Sequence, residues 1–167
     1  MKQPEVQARQ IAVSALARQI AEQTPVNAAQ VNEWAALCGF SREILRKNLL
    51  RAGLRQDNHS LALHGGELPP TLGYWWEHDS TERMSDEQAI LLTRKFANGE
   101  VRRDINVEEV RQVEEEALAH LQELHDSVEE TWGAHDWRAA RAKREQIERT
   151  IQSFIASTTL PRYGVGS

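Results

Sequence analysis

Cysteine is nearly absent from this 167-residue chain: Cys38 stands alone, so no intramolecular disulfide can form. Its place on an apolar helical face suggests a buried thiol in a reducing compartment. Long apolar runs are missing too, and the longest falls far short of the roughly 20 residues that a membrane span requires. The start, MKQPEVQARQ, is polar and lacks the apolar segment of a signal peptide, so a cytoplasmic location and no membrane partner are expected. No GxxxxGK[ST] is present to cradle a nucleotide phosphate. The histidines His59, His64, His78, His120, His125 and His135 are scattered, and the spacing of His120 and His125 does not match the shared helical face of HExxH. No metal, no cofactor and no enzymatic activity are expected.

Charge is plentiful and unevenly spread. The net value of −5 hides a basic start, an acidic middle and a basic end. Residues 1–60 hold eight Lys/Arg against five Asp/Glu, residues 61–132 hold six against seventeen, and residues 133–167 hold six against three. Partners are selected by such local fields rather than by the total. The acidic middle is a poor match for a phosphate backbone; the basic start is the candidate.

Within that start, Ala29 to Leu54 reads as two short helices hinged at Gly39. Ala35 is small enough to let them cross closely. Trp34, Leu37, Cys38, Phe40, Leu45 and Leu49 supply apolar positions at the spacing of a helix-turn-helix core. At about 100° per residue, Ile44, Leu45, Asn48, Leu49 and Ala52 share one side of the second helix, with Asn48 where an aliphatic residue is usual. Glu43, Arg46, Lys47 and Leu50 occupy the other side, with Arg42 at its edge. Arg42, Arg46 and Lys47 are placed for guanine edges or phosphates, Glu43 for a cytosine amino group, and Arg51 and Arg55 for the phosphate backbone of double-stranded DNA. The plainer alternative is a solvated basic face on an ordinary three-helix unit.

The remaining punctuation predicts a mainly α protein. Residues 5–23 carry an alanine-rich helical repeat ended by Thr24-Pro25. Helices follow at about 28–38, with Asn27 and Gln30 as a capping box, and at about 42–52, between Ser41 and Gly53. Leu61, Leu63, Gly65-Gly66 and Leu68-Pro69-Pro70 suggest a hairpin or an ordered loop, and Tyr74-Trp75-Trp76 is apolar enough to pack against the helices. Ser85 to Gln88 is a capping box for a helix ending near Asn98-Gly99. Asn106 and Glu109 form another, with Ile105 and Val110 as its staple, opening a helix that Gly133 stops after Trp132. Val110, Val113, Ala117, Leu121, Leu124, Val128 and Trp132 make its narrow apolar seam, which usually packs on another helix. Asp136 can cap a last helix at about 137–156, whose Arg138, Arg141, Lys143, Arg144 and Arg149 complement the acidic face. The expected organisation is a helix-turn-helix module at 1–83, winged if residues 61–72 form a hairpin. A helical hairpin or coiled-coil oligomerisation region follows at 84–157, then a mobile tail at 158–167.

Two stretches resemble the small terminase subunits of tailed bacteriophages, in the group with an amino-terminal winged helix-turn-helix. One is EWAALCGFSREILRKNLLRAGL with HGGELPP and GYWWEHD after it. The other is RKFANGEVRRDINVEEVRQVEEEALAHLQELHDSVEETW followed by DWRAARAKREQIERTIQSFIA. The resemblance implies a packaging-initiation factor that binds viral DNA, forms a homo-oligomer such as a ring, and recruits and modulates the large terminase subunit. It puts Arg42, Glu43, Arg46 and Lys47 on the recognition helix and His64-Gly65-Gly66 at a wing tip, although Pro69-Pro70 falls where a returning strand needs backbone donors. Two other functions fit the same residues: a dimeric transcriptional regulator of phage or plasmid origin, and a helical adaptor whose basic helix meets an acidic protein.

Overall fold

Alanine at positions 8, 12, 17 and 21, interleaved with Ile11, Val13, Leu16 and Ile20, gives the first helix a wide apolar side that belongs inside, with Gln3, Gln10, Arg18 and Glu22 left exposed on the other. In a computed structural model, which describes residues 2–58, 74–101 and 103–156, this helix is the centre of the molecule. The order is α1 (Gln3–Gln23), β1 (Val26–Asn27), α2 (Ala28–Cys38), α3 (Arg42–Arg51), β2 (Leu54–Asn58), β3 (Tyr74–His78), α4 (Asp86–Ala97), α5 (Val107–Gly133) and α6 (Trp137–Ala156). The protein is mainly helical, with a small antiparallel sheet in the order β1-β3-β2. The expected hairpin residues 61–72 and the tail 158–167 lie outside the described residues.

Two apolar clusters meet on α1. In one, Ala12, Val13, Leu16, Ala17 and Ile20 join Trp34, Phe40, Leu45, Leu49, Leu54 and Trp76, together with Ile105 and Val110 at the start of α5. In the other, Ala8 and Ile11 join Ala117, Leu121, Leu124 and Val128 of α5 and Ile147 and Ile151 of α6. The expected α5/α6 hairpin is therefore present, but α1 runs through both clusters. Both clusters draw residues from either side of the line at residue 83. Further ties across this line are polar: the Arg9 guanidinium sits 3.1 Å from a Glu114 carboxylate oxygen, and Gln7 and His125 are 2.9 Å apart.

Several local expectations change in detail. Asn106 accepts from the Glu109 backbone N–H, but Glu109 does not close the box. Gln19 of α1 takes the Asn106 N–H at 2.7 Å and itself donates to Glu109, so the cap of α5 is welded to α1. Asn27 accepts from the Ala29 N–H rather than forming a box with Gln30. The box at Ser85 and Gln88 is complete. Gly133 stays inside α5, and the chain turns at His135, which adopts φ 57° before Asp136 caps α6 through the Ala139 N–H. The α6 cations make no ion pair with α5 among the described residues; Arg144 instead lies 4.9 Å from the centre of the Trp132 ring. Leu37 is 64% exposed, because the buried side of α2 is that of Val31, Trp34 and Ala35.

The sheet has two unlike faces. Leu54 and Trp76 enter the first cluster. Arg55, Asp57, Trp75 and Glu77 face the other way, where Phe96 of α4 covers the Trp75 ring at 5.5 Å between centres. The Tyr-Trp-Trp run packs against helices as expected, and it does so as a strand.

Candidate nucleic-acid interface

Helix α3 owes its position to the turn before it. Gly39 adopts φ 73°, a left-handed conformation that costs a side-chain-bearing residue roughly 1–2 kcal/mol. Its N–H and that of Phe40 close on the Ala36 and Ala35 carbonyls at 3.1 and 2.9 Å. Ser41 then caps α3 by accepting from the Ile44 N–H. Arg9 braces the turn: its guanidinium donates to the Gly39 carbonyl at 2.6 Å and stacks 4.2 Å from the centre of the Phe40 ring. The same guanidinium binds Glu114, so one side chain fastens the turn to α5.

Leu45 and Leu49 anchor α3 in the core. Asn48 fits there because its polar groups have partners: the hydroxyl of Ser14 of α1, itself 2% exposed, shares its proton between the Gln10 carbonyl and Asn48 Oδ1, each at 3.1 Å, and Asn48 donates to the Ile44 carbonyl at 2.8 Å. Ile44, expected on the anchored side, lies on its flank and is 49% exposed.

Arg42, Glu43, Arg46, Lys47 and Arg51 are all exposed, and among the described residues none forms an ion pair. They divide between two sides. Arg42, Glu43 and Arg46 border a small recess of about 130 Å3 shared with Asn32, Gln56 and Trp76. Lys47 and Arg51 border a larger groove against α1 and α6.

Arg55 departs from its expected role as a backbone contact. Its Nη2 donates to Glu77 at 2.8 Å and its Nη1 lies 3.9 Å from Asp57, so its charge is spent on carboxylates buried in the sheet. Arg83 approaches Asp57 from outside at 3.5 Å. Burial pushes the Glu77 carboxyl up to about 7, a hydrogen bond with Asp57 adds to the rise, and the Arg55 charge opposes it. Burial likewise raises the Cys38 thiol, with Arg9 pulling the other way, which keeps that sulfur in its unreactive form.

The sequence alone did not single out Asn32, Gln56 or Arg9. The two amides are ordinary polar residues until β2 brings Gln56 opposite Trp76 and beside α3. Arg9 carries no local signal at all, since its partners lie on α5 and at the turn. Among the described residues, no group of three or more His, Cys, Asp or Glu is placed to hold a metal ion, and no helix is long and apolar enough to cross a membrane. No family model, curated protein or solved structure matches the chain.

Proposed function

We propose that this protein binds double-stranded DNA through α3. In this reading α2 and α3 form a helix-turn-helix, β2 and β3 are the strands of a wing, and the protein acts as the small subunit of a phage terminase. The observation that carries the DNA reading is the state of α3 in a chain of net charge −5. Four cations project from a helix whose opposite side is fixed by Leu45, Asn48 and Leu49, and none of the four is neutralised by a described neighbour. Leaving cations clustered and unpaired is unfavourable unless something anionic meets them, and a regular row of phosphates does so.

A helix with its side chains is about 10–12 Å across, and the major groove is about 12 Å wide. With α3 lying in it, Arg42 and Arg46 reach base edges, Glu43 accepts from a cytosine amino group, and Lys47 and Arg51 take phosphates. Oligomer formation and recruitment of a large terminase subunit rest on the resemblance, with the α5/α6 hairpin as the assembling element.

The test is duplex binding across a salt series, with native mass measured on the same sample. The two phosphate contacts of Lys47 and Arg51 give a slope of log K against log salt of about −2. Binding that is undetectable at low salt removes the DNA reading. A plain dimer in place of a ring favours the regulator over the packaging factor.

A further inference from the structure

The groove bordered by Lys47 and Arg51 encloses about 610 Å3 between α1, α3 and α6. Its floor is apolar, built from Val6, Val13, Phe40, Ile44, Ile151 and Ile155. Two of these are exposed to a degree unusual for aliphatic side chains in a folded core, Val6 at 41% and Ile44 at 49%. Lys47 and Arg51 are exposed on the α3 rim, and neither forms an ion pair among the described residues. Arg9 also lines the groove, but Glu114 and the Gly39 carbonyl engage it. The facing rim on α6 offers Glu148 and Gln152, so the groove has two uncommitted cations against one carboxylate.

An apolar floor with charge along one edge is how helix-in-groove recognition is built: the floor supplies affinity and the edge selects the partner. Phosphates gain nothing from Val6, Ile44 or Ile155, so a nucleic acid alone does not account for this surface. A second copy of the chain is a poor occupant. Its long acidic helix, α5, already buries its seam residues Ala117, Leu121, Leu124 and Val128 within its own fold.

We propose that this groove docks an acidic amphipathic helix of a partner protein. Its apolar side sits on Ile44, Phe40 and Ile151, and its carboxylates meet Lys47 and Arg51. The inference stands apart from the DNA reading and shares only those two cations with it, so docking competes with their contacts to phosphate.

The test uses the full chain and fluorescence anisotropy. The probes are labelled helical peptides of about 16 residues, roughly 24 Å long. They carry Leu, Ile, Met or Phe on one side and Glu on the flanks, beside counterparts with Gln for Glu. At least one Glu peptide binds about tenfold more tightly than its Gln counterpart, a difference of about 1.4 kcal/mol. Ile44→Asp, an exposed change that leaves the core intact, abolishes binding, and Lys47→Glu with Arg51→Glu reverses the preference. Equal binding of Glu and Gln peptides, no binding by any peptide, or full binding by Ile44→Asp overturns the proposal. It is also overturned by binding that appears only after residues 157–167 are removed, or by self-association that Ile44→Asp abolishes. These outcomes assign the groove to the chain's own residues or to a second copy. DNA binding without peptide binding refutes this inference alone, and the converse refutes only the DNA reading.

Discussion

Glu77→Gln separates the electrostatics of the sheet from everything else in the fold. The Glu77 side chain is 3% exposed, accepts from Arg55 at 2.8 Å and is hydrogen-bonded to Asp57. Its carboxyl is raised from an ordinary 4.5 to about 7, chiefly by burial. Between those two pH values the folded protein keeps a proton that the unfolded chain has released. Stability therefore falls as pH rises through this window and levels off above it. At about 1.4 kcal/mol per unit, the full effect is bounded near 3 kcal/mol. Glutamine copies the shape and hydrogen bonds of the protonated acid but cannot ionise. The variant should match the native protein near pH 4.5 and exceed it at about pH 8 by up to about 3 kcal/mol, or roughly 6–12 °C in Tm. Urea unfolding followed by tryptophan fluorescence at the two pH values measures the difference, because Trp75 and Trp76 flank the site. Curves that shift in parallel for both proteins across this range would refute the assignment.

Leu121→Ala removes a fully buried side chain from the contact of α1, α5 and α6, and should cost about 3–4 kcal/mol in thermal or urea unfolding. A loss below about 1 kcal/mol would show that this seam is not core. Gly39→Ala tests the turn before α3: an added Cβ comes no closer than 3.7 Å to Arg9, so only backbone strain opposes it, at roughly 1–2 kcal/mol. Ser14→Ala removes a buried hydroxyl that lies 3.1 Å from both the Gln10 carbonyl and Asn48 Oδ1, and should lower stability by about 1 kcal/mol in the same assay.

The helices could be read from the sequence because their evidence is local. Caps at Ser41, Ser85 and Asn106 and apolar spacing within one helix are set by neighbours a few residues away. The sheet could not be read so easily. In Leu54–Asn58 only Leu54 is apolar, and the other side of that strand carries Arg55 and Asp57, opposite Glu77 and Trp75. Arg55 looked like a surface cation because Glu77, 22 residues further on, becomes its neighbour only after β3 pairs with β2. The same holds for Asn48, which looked misplaced in a core until Ser14 arrived to satisfy it. That Arg42, Arg46, Lys47 and Arg51 lie off the buried side of α3 follows from periodicity alone. Their division between two grooves does not, because it is decided by where α1, α6 and β2 stop.

The central claim is that the cations of α3 meet DNA while the rest of the fold holds them in place. Its most direct test is the double variant Arg46→Ala with Lys47→Ala, measured for duplex affinity over a salt series beside its unfolding midpoint. The account predicts weaker binding, a salt slope reduced by about 1 through loss of the Lys47 phosphate contact, and an unchanged midpoint. Duplex affinity equal to that of the native protein at every salt concentration would contradict it.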